Sequence, residues 1–188
     1  WFALHHEECV ANKTSYGFSI PTPSVNVIYQ ITHLFSHYFQ EGVGLRQILD
    51  MYYTLIAWRE SVENGYGKQS QGMWSEGLGT AVMSKEEVMA VLRSFGMTRF
   101  AAAVMYVLHE VFAIPTNYYI CEPNEKEGRK LLEEIMKGGN FGQYDERGKE
   151  FKNGGMVKHG VWKLKRVMRL VRSYPEEALW EPVFRVYH

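Results

Sequence analysis

Apolar residues recur at helical spacing along most of the chain. After the turn-rich, proline-containing stretch 14–24, a first strong pattern runs from Ser24 to Gln40 and predicts a helix with Ser24 as its N-cap. A glycine corner, Gly42-Val43-Gly44, interrupts the pattern, which then resumes from Leu45 to about Trp58. The inward positions of the two predicted helices are Val27, Ile28, Ile31, Leu34, Phe35, Tyr38 and Phe39, then Leu45, Ile48, Leu49, Tyr52, Tyr53 and Ile56.

The second half of the chain continues this organisation with clear start and stop signals. Ser84 and Glu87 match a capping box, in which each side chain satisfies a backbone N–H group at the start of a helix. A nearly apolar stretch over 97–112 predicts a central buried helix that Pro115 ends. The remaining helical patterns are one with Pro123 in its first turn that ends at Gly138, one over 161–171, and a last one after Tyr174.

These patterns predict an all-α fold, an irregular bundle of about six or seven helices. Residues 1–11 read as part of a helix without a start signal, and no alternating strand pattern or internal repeat is present. Two glycine-rich stretches, near 61–83 and 138–160, predict loops. At 188 residues the chain has the length of a single helical domain.

The charge balance argues against several classes of partner. Lys plus Arg equals Asp plus Glu at 21 each, so the chain gives no strong signal for nucleic acid. No apolar run approaches the roughly 20 residues that a membrane span needs. The two cysteines lack the spacing of a zinc site or of a disulfide framework. We therefore expect a cytoplasmic protein with no membrane contact.

The acidic residues are strongly biased toward glutamate. Asp50 and Asp145 are the only aspartates, and they lie far apart in the sequence. Phosphoryl and nucleotidyl transfer commonly needs two or three carboxylates around Mg²⁺, often as Asp-x-Asp, and this chain has no such motif. We therefore assign no catalytic residue, no metal ligand and no cofactor to the chain itself.

His33, His37 and Glu41 form the first candidate site. Their i, i+4, i+8 spacing places them on one face of the predicted helix, and a histidine pair at i, i+4 can hold zinc. Leu34 stands where a zinc protease would have glutamate, which excludes that chemistry. The alternative is a pair of partly buried histidines that hydrogen-bond to neighbouring loops.

Arg46 and Asp50 form the second candidate site, because both follow the glycine corner at a helix start. Free N–H groups and the helix dipole favour an anion there, so Arg46 could bind a phosphate. The alternative is a structural salt bridge between Arg46 and Asp50.

A basic patch with Lys163, Arg166 and Arg169 is the third candidate. From Lys152 to Arg172 the chain has seven basic residues and no acid, a pattern suited to phosphate groups or to a neighbouring domain. An amphipathic helix with a solvated basic face explains the same pattern.

Three segments together resemble the uncharacterised bacterial nucleotidyltransferase family of the polymerase-β-like superfamily. They are HLFSHYFQEGVGLRQILDMYY, NEKEGRKLLEEIMKGGNFGQYDER and SYPEEALWEPVFRVYH, and the likeness spans most of residues 22–188. The resemblance implies a catalytic core with a Gly-Asp-x-Asp-type motif, Mg²⁺ and a nucleoside triphosphate in the intact protein. Because that motif is missing here, the chain resembles the C-terminal helical part and is expected to be inactive alone.

Two functions follow as expectations. In the first, the chain is the helical substrate- or nucleotide-closing region of a nucleotidyltransferase, and an N-terminal catalytic domain of the same protein is its partner. The resemblance then implies that Arg46 contacts a nucleotide phosphate or a core carboxylate, that Asp50 orients it, and that His33, His37 and Glu41 line the same cleft. In the second, the chain is a noncatalytic helical module that binds a partner protein or a small anion.

Overall fold

The computed structural model describes residues 1–40, 42–64 and 82–138, together with Met168, Tyr174 and Pro175. Within these residues the chain forms six α-helices and two short 3-10 helices, and the all-α prediction is confirmed. The only β-bridge among the described residues is an isolated antiparallel one between Lys13 and Ser19. The α-helices are α1 His6–Ala11, α2 Pro23–Gln40, α3 Leu45–Asn64, α4 Lys85–Ser94, α5 Thr98–Phe112 and α6 Glu125–Gly138.

Backbone contacts divide the chain into two compact units. The first comprises Trp1–Leu34 and Arg46–Leu131, and the second comprises Phe35–Leu45 and Leu132–His188. The prediction of a single domain over residues 1–188 stays a prediction, and each unit is described by itself. Apart from Met168 and Pro175, the predicted helices over 161–171 and after Tyr174 lie outside the described residues, as does the predicted loop beyond Gly138.

The core of the first unit is built from one apolar face of each long helix. The buried side chains from α2 to α4 include Ile28, Ile31, Leu34, Ile48, Met51, Leu55, Trp58, Val88 and Leu92. Helix α5 is buried almost all round, from Phe100 to Leu108 except Ala102, as its apolar sequence predicts. Ala113 adopts a left-handed conformation (φ 50°) at the end of α5, and Pro115 follows two residues later.

The second unit has an aromatic core of its own. Phe35, Phe39 and Tyr174 are each less than 7% exposed, and the Tyr174 ring centroid lies 5.3 Å from Phe35 and 5.9 Å from Phe39. The rings meet nearly edge to face, an arrangement that their quadrupoles favour. Val43 and Ile135 are also buried.

The start of α2 differs from the prediction. The helix begins at Pro23, whose fixed φ suits the first helical position, and the Thr22 carbonyl accepts the first helical hydrogen bond from Asn26 at 2.8 Å. Ser24 is therefore not the N-cap. Its buried hydroxyl instead accepts a hydrogen bond from the Met83 backbone N–H at 2.8 Å.

Two further boundaries also differ. Helix α3 continues to Asn64, past the predicted end near Trp58, and the Arg59–Glu63 ion pair at 2.9 Å supports its last turns. Helix α6 begins at Glu125, and the Asn124 side chain caps it by accepting a hydrogen bond from the Glu127 N–H at 3.0 Å. Pro123 therefore precedes the cap and does not occupy the first turn.

Candidate functional site

Arg46 and Asp50 lie in the first two turns of α3, on the face that points away from the core of the first unit. Both residues are exposed, whereas Ile48, Met51, Leu55 and Trp58 of the same helix are buried. This amphipathic arrangement follows from the sequence, because residues at i and i+4 share a face of a helix. The candidate pair is thus placed on the surface of α3.

The phosphate-binding and salt-bridge interpretations of this pair both stay predictions. Among the ion pairs between described residues, none joins the Arg46 guanidinium to the Asp50 carboxylate. The hydroxyl of Thr54 donates a hydrogen bond to the backbone carbonyl of Asp50 at 2.9 Å, and not to its carboxylate. Both side chains are exposed to solvent.

Tyr53 belongs to the same exposed face of α3. The sequence pattern placed it inward beside Tyr52, but its side chain is 62% exposed. Tyr52 is half-buried, and its ring centroid lies 5.4 Å from that of Tyr53 and 6.3 Å from that of Phe112. Consecutive helical residues differ by about 100° in direction, so only one tyrosine of the pair can face the core. The i, i+4, i+7 spacing of Arg46, Asp50 and Tyr53 was the sequence signal that could have placed Tyr53 on the exposed face.

His33 lies in the first unit and is half-buried. Its ring stacks on Tyr29, with centroids 5.4 Å apart and planes 13° from parallel. Tyr29 in turn meets the Phe2 ring edge to face at 6.2 Å. These contacts place His33 in an aromatic surface cluster with Tyr29 and Phe2.

His37 lies in the second unit and is also half-buried. Its backbone carbonyl accepts a hydrogen bond from the Gly42 N–H at 2.7 Å, and Gly42 has a φ of 107°, which favours glycine. Glu41 lies outside the described residues. The role of His33, His37 and Glu41 in a ligand cleft therefore stays a prediction.

Metal-ligand side chains do not converge in the part of the chain that the structure describes. No group of three or more His, Cys, Asp or Glu side chains there is arranged to hold an ion. The basic patch of Lys163, Arg166 and Arg169 lies outside the described residues. Over the described helices, none is long and apolar enough to cross a membrane.

A second polar pair was not anticipated from the sequence. The Tyr119 hydroxyl and His109 Nδ1 lie 2.7 Å apart, and burial, followed by the Glu122 charge, raises the pKa of Tyr119. The turn through Ala113 and Pro115 brings the two residues together. Sequence spacing gave no signal for the pair, because the contact depends on the shape of that turn.

Comparison with protein-family models, with curated proteins and with solved structures finds no significant match for the chain.

Proposed function

We propose that the chain is the helical nucleotide-closing region of a nucleotidyltransferase whose metal-binding catalytic core is not in this chain. The observation that carries the proposal is the exposed Arg46 in the first turn of α3. A guanidinium offers a fork of N–H donors that matches phosphate oxygens, and the positive end of the helix dipole adds to the attraction.

Mg²⁺ belongs to the core in this proposal. The chain has no Asp-x-Asp motif, and its described residues do not form a ligand set for the ion. The residues of α3 therefore act on the nucleotide only, by binding and orienting its phosphates. The core would supply the carboxylates that hold the metal.

The first test is nucleotide binding by the chain itself. ATP, CTP, GTP and UTP are each added with MgCl₂, and we expect at least one to raise the melting temperature, since a ligand that binds only the folded state stabilises it. Arg46→Ala should abolish the shift, whereas Arg93→Ala should keep it, because Arg93 is also an exposed arginine but lies on another helix of the first unit. An unchanged shift in Arg46→Ala would refute the proposal.

The second test concerns the parent gene. We expect the reading frame upstream of Trp1 to encode Gly-Asp-x-Asp followed by a further acidic residue. If the upstream sequence lacks this motif, the catalytic part of the proposal fails, and a binding function is left.

A noncatalytic partner-binding module is the second candidate. It is favoured by the exposed apolar side chains at the N-terminal end of the first unit, where Leu4 is 85%, Tyr16 79% and Phe18 71% exposed. This function predicts that no nucleotide shifts the melting temperature. It also predicts that Tyr16→Ala and Phe18→Ala leave the fold intact, because neither ring contributes to the core.

A further inference from the structure

We infer that Asn12 accepts an N-linked oligosaccharide only while the chain is unfolded, and that glycosylation of Asn12 and the native fold exclude each other. Asn12, Lys13 and Thr14 form an Asn-x-Thr sequence, which is the acceptor motif for N-glycosylation. Such a motif usually indicates an exposed loop, because the attached glycan is bulky and hydrated. In this fold, however, the asparagine of the motif is buried.

The side chain of Asn12 closes the segment between α1 and α2. The residue is only 4% exposed, and its Nδ2 atom donates hydrogen bonds to the Ile20 carbonyl at 3.0 Å and to the Pro21 carbonyl at 3.3 Å. We call these two hydrogen bonds the Asn12 clasp. A primary amide nitrogen carries two N–H groups, so the clasp uses both of them. The atom that would carry a glycan is therefore engaged inside the fold.

The rest of the motif is also paired in the folded chain. The backbone carbonyl of Asn12 accepts a hydrogen bond from the Ile20 N–H at 2.9 Å, and the Thr14 N–H donates to the Phe18 carbonyl at 2.8 Å. The Thr14 hydroxyl, which the motif requires, accepts a hydrogen bond from the Phe18 N–H at 3.2 Å. A transferase must hold the three residues of the motif in its own site, and these contacts prevent that in the folded state.

Glycosylation would in turn break the clasp. An oligosaccharyltransferase joins Asn12 Nδ2 to the anomeric carbon of a lipid-pyrophosphate-linked oligosaccharide. The bond from that carbon to the pyrophosphate oxygen breaks, the lipid pyrophosphate leaves, and the amide nitrogen loses one proton to a base of the transferase. The product has a single N–H, so the carbonyl of Ile20 or Pro21 loses its donor. The first sugar also needs space that the surrounding residues fill.

The order of folding and glycosylation therefore decides the outcome. A chain that folds first has no accessible acceptor, whereas a chain that is glycosylated first cannot close the segment between α1 and α2. The Ser19 hydroxyl donates to the Val10 carbonyl at 2.8 Å, and the Thr22 hydroxyl donates to Glu8 Oε1 at 3.0 Å. These two hydrogen bonds close the same segment, so they are weakened when the clasp is lost.

The direct test directs the 188-residue chain into the secretory pathway of animal cells with a signal peptide. The glycosylated form is isolated from whole cells on a lectin column, and the unglycosylated form comes from cells in which N-glycosylation is blocked. We expect the wild type to be glycosylated at Asn12. The glycosylated form should melt at least about 5 °C below the unglycosylated form, or show no cooperative transition.

A matched variant moves the acceptor to an exposed position in the same segment. Thr14→Val removes the original motif, and Tyr16→Asn with Phe18→Thr creates a new one in the turn. The two replaced aromatic side chains are 79% and 71% exposed, so a glycan there has room. This variant should be glycosylated and should melt at the same temperature with and without its glycan.

The clasp is tested without any glycan by Asn12→Asp. Aspartate has nearly the same size, but its carboxylate cannot donate to the Ile20 and Pro21 carbonyls. We expect the melting temperature to fall by about 5 °C or more. Asn117→Asp, at an exposed asparagine of the first unit, should leave the melting temperature unchanged.

Three results would overturn the inference. The first is a glycosylated wild type that melts like the unglycosylated form, because the glycan and the fold would then be compatible. The second is a wild type that gains no glycan while the turn variant does, because Asn12 would then not be an acceptor even before folding. The third is an unchanged melting temperature in Asn12→Asp, because the clasp would then not hold the segment closed.

Discussion

Gly128 lies where α6 passes against Tyr106 of α5. The Asn124 N–H donates to the Ala102 carbonyl at 3.0 Å, which docks the start of α6 on the α5 backbone. The Arg129 guanidinium lies 6.0 Å from the centre of the Tyr106 ring. A Cβ atom at position 128 would overlap the Cβ, Cγ and Cδ1 atoms of Tyr106. Glycine is therefore required by packing at this position.

We predict that Gly128→Ala lowers the free energy of unfolding by about 1–2 kcal/mol. Overpacking costs about 1–3 kcal/mol, and the better helix propensity of alanine returns at most about 1 kcal/mol. Urea denaturation measures the change. Gly138→Ala in the same helix is the control, because an added Cβ there meets nothing within 4 Å and stability should stay the same or rise. Equal effects of the two substitutions would contradict the packing argument.

Cys121 is a half-buried thiol whose pKa is raised to about 11, chiefly by burial. The Lys85 charge opposes the rise and the Glu122 charge adds to it. In the folded state the raised pKa keeps the thiol protonated up to about pH 11. In the unfolded chain the same thiol ionises above its ordinary pKa of 9.0. The protonated thiol therefore contributes stability below pH 9, and this contribution is lost as the pH rises toward 11.

We predict that the stability difference between wild type and Cys121→Ala changes in this pH window. The wild type should lose stability relative to the variant between pH 9 and 11, while the difference stays constant from pH 7 to 8.5. Urea midpoints at half-unit pH steps measure it, and tyrosine and lysine titrations cancel because both proteins contain them. In addition, alkylation of Cys121 at pH 8 should be about 100-fold slower than in the urea-unfolded chain.

At the scale of the element, α4 shows how local signals fix a boundary. The Ser84 N–H donates to Glu87 Oε2 at 2.8 Å, and the Glu87 N–H donates to Ser84 Oγ at 3.2 Å. Because Ser84 and Glu87 are only three residues apart, the sequence alone predicted the capping box, and the structure confirms it. The turn of Gly96, with a φ of 71°, ends the helix as its sequence also indicates.

We predict that Ser84→Ala lowers the free energy of unfolding by about 0.5–2 kcal/mol. Ser84→Ala and Glu87→Ala should not be additive, because each removes one half of a reciprocal contact, and the coupling should reach about 0.5 kcal/mol or more. The matched cycle uses Glu86→Ala, a neighbouring first-turn acid outside the capping box. The coupling energy between Glu86→Ala and Ser84→Ala should be near zero. Equal coupling energies in the two cycles would show that the capping box is not the source of the coupling.

Boundaries that depend on distant partners could not be predicted in this way. Ser24 has the composition of an N-cap, but its hydroxyl bonds to Met83, which is 59 residues away. Trp58 Nε1 donates to the Met83 carbonyl at 3.1 Å, so the backbone of this one residue links α2 and α3 before α4 begins. In the candidate site, the spacing correctly predicted a shared face for Arg46 and Asp50. It could not predict whether their charges pair, because water competes with an ion pair when both side chains are exposed.

At the scale of the whole molecule, burial is distributed unevenly over the first unit. Helix α5 has buried residues on nearly every side, whereas α2, α3 and α4 each bury one face. The segment before α2 has few buried side chains, and its turn at Ser15 to Gly17 is exposed. Opening α5 would expose the most apolar surface, whereas opening the turn exposes almost none.

We predict that amide hydrogen exchange follows this distribution. The amides of α5 within Phe100–Leu108 should exchange only through global unfolding, so that their opening free energy equals the value from urea denaturation. The Phe18 N–H, which donates to Thr14 Oγ1 at 3.2 Å, and the Gly17 N–H, which donates to the Thr14 carbonyl at 2.9 Å, should exchange through local opening at far lower free energy. Exchange measured at increasing urea below the transition tests this, since global openings become easier with urea and local ones hardly change. Urea-independent exchange within α5 would show that a different helix holds the first unit together.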